Sequence, residues 1–210
     1  MRCLVLSDIH GNLPAFEQVV KIEKDIDLYI NLGDVVNYGP WSNECVDLID
    51  SLNCFNILGN HEEYFIKGKC DVKNDVVQSF FDTNYLSFNR FDLITEYRNK
   101  ILFKDFLLTH NLTEKGYVFK DTKVTLEMNT IIGHSHQQYV RFENDFILIN
   151  PGSIGQNRRD IEFSNYIIWD TDKNTFVQKK LFCNPTRIIQ EFTARKFPEI
   201  CINYYKNKIK

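Results

Sequence analysis

An α/β fold is predicted by three features of the sequence. Short apolar runs at residues 3–6, 27–32 and 54–58 alternate with stretches whose apolar residues recur at helical spacing. Each run ends in small or polar residues: Ser7-Asp8-Ile9-His10, Gly33-Asp34 and Gly59-Asn60-His61. Later runs alternate at period two around the turns Asn144-Asp145 and Thr171-Asp172-Lys173. Strand, helix, strand in alternation is the pattern of α/β architecture, with ligands beyond the carboxyl ends of the strands.

In chain order, residues 2–7 form the first strand. Asn12 caps the helix that follows, and Pro14 sits in its first turn, where a missing N–H does no harm. Phe16, Val19 and Val20 give that helix an apolar face to about Lys24. The second strand, 27–32, delivers Asp34 just past its end. Residues 35–40 are a loop closed by Gly39-Pro40. Ser42 is the expected N-cap of a helix whose apolar face is Cys45, Val46, Leu48, Ile49 and Leu52. The third strand, 54–58, leads into Gly59-Asn60-His61. Residues 62–99 are rich in aromatics, among them Tyr64, Phe65, Phe80, Phe81 and Phe88, and read as helical over 75–88. Two readings stand for this segment: a helical layer of core aromatics, and a cap that shapes a cleft. Each can hold for different residues.

Residues 101–109 read as a hairpin or paired strand ending at His110. Residues 113–129 are a polar connection with a helix near 121–127. Residues 130–132 are a short buried strand ending in Gly133-His134-Ser135-His136. Strands at 138–142 and 146–150 flank Asn144-Asp145, and 151–159 form a loop. Residues 164–169 and 175–182 close the chain as an antiparallel pair. Beyond Pro185 the chain is helical or tail-like, with a solvated basic end at Lys206, Lys208 and Lys210.

A chain of 210 residues has the size of one domain. A net charge of −3 gives no electrostatic case for nucleic acid as an obligate partner, though it stays possible as a substrate. No apolar run approaches membrane-spanning length, so no membrane partner is expected. The six cysteines are scattered without CxxC spacing, and strand-like sequence begins at the second residue with no signal peptide before it. Reduced thiols and a cytoplasmic location are therefore expected, with pairing of some cysteines as the alternative.

Histidine placement carries the chemistry. All five histidines, His10, His61, His110, His134 and His136, follow expected strands beside Gly, Asn or Asp. A lone histidine is more often structural than ligating, but five with none left over resist that explanation. Asp8 and His10 are two residues apart, so an extended backbone projects both to one side. With Asp34 and Asn60 the set offers eight imidazole, carboxylate and amide donors. This mixture suits Mn, Fe, Zn, Co or Ni better than Ca or Mg. Eight donors exceed what one ion with open positions takes. They fit two ions about 3.5–4 Å apart, bridged by a carboxylate.

In order, Asp8-x-His10, Gly33-Asp34, Gly59-Asn60-His61, His110 and Gly133-His134-Ser135-His136 resemble the full motif series of the calcineurin-like metallophosphoesterases, over residues 7–159. The resemblance implies a four-layer α-β-β-α sandwich of two mixed β-sheets flanked by helices. It also implies a single metallophosphoesterase domain over 1–210, in which the aromatic-rich pattern of about 62–99 is read as a helical cap-like insertion. Asp8, His10 and His136 would hold one metal and Asn60, His110 and His134 the other, with Asp34 bridging them. Manganese is the expected metal, with Fe, Zn, Ni or Co as alternatives. The nucleophile would be a water between the two ions, acidified to hydroxide. His61 stays free near the leaving group, as general acid or as a clamp on the phosphoryl group. Asn12 and Arg158 are candidate substrate contacts, set against plain roles as helix cap and solvated loop residue. Arg159 is an equal candidate with Arg158.

Protein serine/threonine phosphatases carry Asp and Arg where this chain has Asn37 and Tyr38. That loop, and Asn150-Pro151-Gly152-Ser153-Ile154-Gly155-Gln156, are more similar to the small bacterial and archaeal phosphodiesterases. There the final Gln is usually followed by Pro-Arg, where this chain has Asn157-Arg158. The implied activity is hydrolysis of phosphodiesters or phosphomonoesters, with a small molecule or nucleotide as substrate. The retromer scaffold subunit belongs to the same branch, so a non-catalytic scaffold or metal-binding protein is the alternative.

Overall fold

The computed structural model describes residues 1–112 and 116–209. Its strands are β1 (Arg2–Leu6), β2 (Leu28–Asn31), β3 (Cys54–Asn56), β4 (Lys100–Phe103), β5 (Phe106–Thr109), β6 (Asn129–Ile131), β7 (Tyr139–Glu143), β8 (Phe146–Asn150), β9 (Phe163–Asp170) and β10 (Thr175–Phe182). Its helices are α1 (Leu13–Ile22), α2 (Ser42–Asp50), α3 (Asn60–Lys67), α4 (Asp75–Tyr85), α5 (Phe91–Thr95), α6 (Thr186–Ala194) and α7 (Glu199–Lys206).

The apolar run of β1 is buried on both faces, as a continuous apolar strand must be. Cys3 and Val5 join one core cluster, Leu4 and Leu6 another. β1 pairs in parallel with β2, and β2 with β3. On its other side β1 runs antiparallel to β9, which forms a hairpin with β10. The second sheet has the order β4-β5-β6-β8-β7, with β5, β6 and β8 parallel and both edge strands antiparallel. The fold is thus two mixed five-stranded sheets flanked by helices.

Val5, Ile30, Leu32, Phe106, Leu108, Ile149 and Trp169 share the core cluster that joins the sheets. Across it the rings of Trp169 on β9 and Phe106 on β5 sit 4.9 Å apart, edge to face. Leu4 and Leu6 share the larger cluster with Phe16, Val46, Ile49, Phe192 and Tyr205 from the helices. Most aromatics of 62–99 belong to that cluster, with Phe65, Phe80, Phe81 and Phe88 all buried.

Three local expectations are corrected. No helix forms at 121–127. The β-branched Thr122, Val124 and Thr125 disfavour one. Val118 and Leu126 instead pack with Ile132, Tyr139 and Leu148, and the Tyr139 hydroxyl donates to the Val118 carbonyl at 2.9 Å. Residues 113–115 of that connection lie outside the described residues. Ser42 is the first residue of α2, not its cap, and its hydroxyl accepts from the Asn37 N–H at 3.0 Å. The C-terminal segment forms two helices, α6 and α7, and Lys208 is half-buried. Lys210 lies outside the described residues. No described helix is long and apolar enough to cross a membrane, and all six cysteines are free.

Candidate active site

The predicted site residues follow the carboxyl ends of five parallel strands: Asp8 and His10 after β1, Asp34 after β2, Asn60 and His61 after β3, His110 after β5, and His134 and His136 after β6. Reaching one point from two sheets requires sharp turns. Asp8 (φ 54°), His10 (48°), Asp34 (58°), Asn37 (71°), Tyr38 (57°), His134 (65°) and His136 (57°) all have left-handed backbone. Such conformations cost of order 1–3 kcal/mol each and persist only when neighbours over-determine them. Here the Asp8 N–H donates to the Gly33 carbonyl and the His10 N–H to the Asp34 carbonyl, both at 2.9 Å. Gly39 N–H closes the loop on the His10 carbonyl at 2.8 Å.

Glu62 secures the turn around Asp34. Its buried carboxylate accepts from the N–H groups of Asp34 (2.8 Å), Val35 (2.7 Å), Val36 (3.1 Å) and Gly59 (2.9 Å). Burial, with the charge of Asp34 beside it, pushes its carboxyl up to about 7. Gly59 must be glycine, because a Cβ there would lie 2.2 Å from Asp34 Oδ1. The role of Glu62 was not read from the sequence; its place directly after Gly59-Asn60-His61 was the available signal.

Three donor clusters result: Asp8, His10 and His136; His10, Asp34 and His61; and Asp34, His110 and His134. Within each, one ligand atom per residue lies within 4.8 Å of the others. Asn60 joins the third, its Oδ1 3.1 Å from His110 Nε2. Asp34 divides its oxygens. Oδ1 accepts the His61 backbone N–H at 2.9 Å, while Oδ2 lies 3.3 Å from His110 Nε2 and 3.9 Å from His10 Nε2. Asp34 is thus the carboxylate common to two clusters.

The ring orientations match ligation. Nδ1 of His10 faces the Val36 carbonyl (3.3 Å), that of His110 the Leu32 carbonyl (2.6 Å), and that of His136 the Gln156 carbonyl (2.5 Å). Each Nδ1–H donated to a carbonyl leaves the Nε2 lone pair free for a cation. His134 is turned the other way, with Nδ1 3.2 Å from His110 Nε2. Asp8 Oδ1 is buried 3.1 Å from His136 Nε2 and 3.7 Å from His10 Nε2, with no N–H or O–H donor assigned to it among the described residues, while Oδ2 accepts the His134 N–H at 3.1 Å. A buried carboxylate oxygen facing two imidazole Nε2 atoms fits a divalent cation.

Electrostatics agree. Burial alone would raise the Asp34 carboxyl, but His110 and His61 outweigh it and hold the group well below the usual range. Asp8 is held low likewise, by His136 and His110 against burial. Burial opposes charge on His110, yet Asp34 beside it, with Asp8, carries its pKa up to about 10. Burial and His110 bring His134 down to about 4.

A cleft of about 750 Å³ opens onto the clusters. Tyr38, Tyr64, Tyr117 and Arg158 line it beside His61 and His134. Tyr64 is therefore an aromatic of 62–99 that faces the cleft, together with Val72 and Val77. Asn12 is not among the lining residues. Its Oδ1 caps α1 at the Ala15 N–H and its Nδ2 donates to the Gly155 carbonyl at 3.0 Å. Arg159 is exposed.

The sequence profile described as calcineurin-like phosphoesterase matches residues 1–138. The chain belongs to this family. Among the relatives of this phosphoesterase, an uncharacterised protein of Methanocaldococcus jannaschii is 29% identical, with 79% of this chain and 81% of the relative covered. The phosphodiesterase YfcE of Escherichia coli is 26% identical over 162 residues, covering 73% of this chain and 79% of YfcE. A metallophosphoesterase from Sphaerobacter thermophilus superposes over the whole of both chains with a TM-score of 0.83 at 21% identity. Vps29 from Entamoeba histolytica, a single mutant, shares the fold at a TM-score of 0.51 and 12% identity, with 88% of this chain and 100% of that one covered. The phosphoesterase is thus of a hydrolase family, with His and Asp clusters able to bind metal.

Metal removal has a measurable consequence. A ligand that binds only the folded state at 100 times its Kd stabilises by about 2.7 kcal/mol. For a domain of this size that is about 5–10 °C in Tm. Scanning fluorimetry of chelated against manganese-loaded phosphoesterase is expected to show this gain. The gain should shrink as pH falls, because each cation competes with protons on His110 and its neighbours. An unchanged Tm at every pH would contradict metal binding by these clusters.

Proposed function

We propose that the protein is a phosphoesterase that uses two divalent transition-metal ions, manganese first among them, to hydrolyse phosphodiesters, phosphomonoesters or both. The observation that carries this reading is Asp34, whose Oδ2 lies 3.3 Å from His110 Nε2 on one side and 3.9 Å from His10 Nε2 on the other. Asp8, His10 and His136 would hold one ion, and Asn60, His110 and His134 the other. Bound there, the pair supplies neutralisation of the phosphoryl oxygens and a water acidified enough to attack near neutral pH.

The chain's own residues do the rest. Carbonyl-anchored histidines keep the ligand set rigid before substrate arrives. His61 stands over the centre as the free imidazole that touches the phosphoryl group or the departing oxygen. Arg158 lines the cleft and offers a guanidinium to a substrate anion. Tyr38, Tyr64 and Tyr117 form walls against which the organic part of a phosphate ester packs, with helices 62–99 as one side of the cleft. The free thiols suit a reducing, cytoplasmic setting. A non-catalytic scaffold has no need of a complete ligand set, and every expected ligand is present here.

The test is turnover of bis-p-nitrophenyl phosphate and p-nitrophenyl phosphate by protein loaded with manganese, then with iron, zinc, cobalt or nickel. Release of p-nitrophenol that is abolished by chelation and restored by the metal is expected. No turnover with any of the five metals would overturn the enzyme reading.

A further inference from the structure

We propose that Tyr117 is a positioning residue for the metal centre: its ring holds the His134 imidazole in the plane that the second ion requires. That ion is the one expected between Asn60, His110 and His134. The inference rests on the two-ion reading above and deepens it.

Three of the four expected ligand histidines have a built anchor: His10, His110 and His136 each turn Nδ1 to a backbone carbonyl. The anchor fixes the ring and leaves Nε2 for a cation. His134 is the exception. Its Nδ1 faces the cluster, 3.2 Å from His110 Nε2, and among the described residues no carbonyl takes a proton from its ring. The torsion that sets the plane of an imidazole is broad and shallow. His134 is also only half-buried, on the wall of the open cleft. With no other restraint its ring would turn, and Nδ1 would face the cluster only part of the time.

Tyr117 supplies the restraint. Its ring lies against that of His134 with 4.5 Å between centres and 14° between planes, the near-parallel contact of a stacked pair. His110 meets the same imidazole edge on, at 5.0 Å and 70°. Swinging the His134 ring out of its plane drives its edge into the phenol. The attraction grows when the site is filled, because an imidazole bound to a cation is electron-poor and the face of a tyrosine is electron-rich.

The phenol is itself fixed. Tyr117 lies in irregular chain, but its neighbours are tied to the segment that follows His134. Val118 is buried, and its carbonyl accepts from the Tyr139 hydroxyl at 2.9 Å. The Lys120 N–H donates to Oε1 of Gln137, the residue after His136, at 2.7 Å. The Arg158 guanidinium carbon sits 4.3 Å from the Tyr117 ring centre and steadies the ring further. The stack on His134 uses the ring of Tyr117 and not its hydroxyl.

Manganese binding to the full chain decides the matter, with free Mn(II) read by electron paramagnetic resonance in wild type, Tyr117→Leu and Tyr117→Phe. Wild type is expected to bind two ions. Tyr117→Leu keeps an apolar side chain but no stacking face. It should weaken one ion by about tenfold to a hundredfold, the loss that follows removal of an outer support from a ligating histidine. The other ion, held by Asp8, His10 and His136, should bind as in wild type. Tyr117→Phe keeps the ring and should bind both ions as wild type does. Tyr117 is 43% exposed, so neither change opens the core, and the Tm of each metal-free chain verifies that all three fold alike. In metal-free protein, ring-current shielding of the His134 C–H protons should persist in Tyr117→Phe and vanish in Tyr117→Leu. Two tight ions in Tyr117→Leu, an equal loss of both, or a loss as large in Tyr117→Phe would each overturn the positioning role, as would shielding that survives in Tyr117→Leu. A wild type that binds fewer than two ions sinks the two-ion reading, and this inference with it, before any substitution is made.

Discussion

Asp34→Asn is expected to lower kcat/KM on bis-p-nitrophenyl phosphate by about a thousandfold or more. The substitution changes charge with little change in shape. The amide oxygen can still accept the His61 N–H that Asp34 Oδ1 now takes at 2.9 Å. Glu62 continues to hold the backbone of residues 34–36. What is lost is the anion shared between two donor clusters. Two cations at the spacing of such a centre, about 3.5–4 Å, repel each other unless a negative group lies between them. The neutral variant should therefore bind at most one ion tightly. Elemental analysis after gel filtration is the direct check, with about one ion per chain expected in place of two. Turnover within tenfold of wild type, with two ions retained, would rule out Asp34 as the bridge.

The clarity of the site in the sequence follows from what metal chemistry demands. Imidazole and carboxylate donors have no substitutes among the apolar residues of a strand. Asp8, Asp34, His110 and His134 therefore stand out where the runs at β1, β2, β5 and β6 stop. The alternation of those runs with α1 and α2 also exposes the parallel half of the first sheet. What could not be read is whatever depends on backbone curvature or on pairing across the fold. Left-handed backbone at Asp8, His10, Asp34, His134 and His136 falls on Asp and His, the types such turns favour, but metal ligation selects the same types, so residue type does not separate the two and the turns are enforced by hydrogen bonds between loops. Glu62 has the composition of an ordinary first-turn acid, and only the fold brings the N–H groups of residues 34–36 to it.

Other residues stay ambiguous in the sequence because one polar side chain suits two jobs. Asn12 reads both as a helix cap and as a candidate substrate contact, and the structure shows the cap, with its amide engaged by α1 and by Gly155. Lys208 reads as a solvated tail residue, because its shelter comes from Tyr204 on a helix that sequence periodicity left undecided. At 121–127 the charged and β-branched residues leave local preference weak. The apolar face of Ile132, Tyr139 and Leu148 then decides the matter, being buried under Val118 and Leu126 in irregular chain.

His61→Ala is expected to lower kcat by about a hundredfold to a thousandfold, by the same factor for p-nitrophenyl and phenyl leaving groups. The reason lies in Asn37. Its Oδ1 accepts the Tyr38 N–H at 2.8 Å, which turns its Nδ2 toward His61 Nδ1 at 2.9 Å. Nδ1 must then accept, so the ring is neutral with its proton on Nε2. Burial lowers the His61 pKa and the charge of Asp34 only partly opposes this, leaving the ring below its ordinary value. Bound cations push in the same direction. A neutral imidazole at neutral pH is a poor proton donor but a good hydrogen-bond donor. His61 is thus expected to clamp the phosphoryl or leaving oxygen rather than protonate it. A general acid would instead show a loss that grows as the leaving group becomes more basic. A tenfold greater loss on the phenyl ester would therefore decide against the clamp. Asn37→Asp reverses the sign: a carboxylate at that position accepts from Nδ1–H, favours imidazolium and raises the pKa. Wild type should then show no loss of activity from His61 protonation above pH 6.5, the ordinary histidine value. The aspartate variant should keep or gain kcat on the phenyl ester as pH falls through neutrality, because imidazolium retains the Nε2–H and adds a charge and a transferable proton.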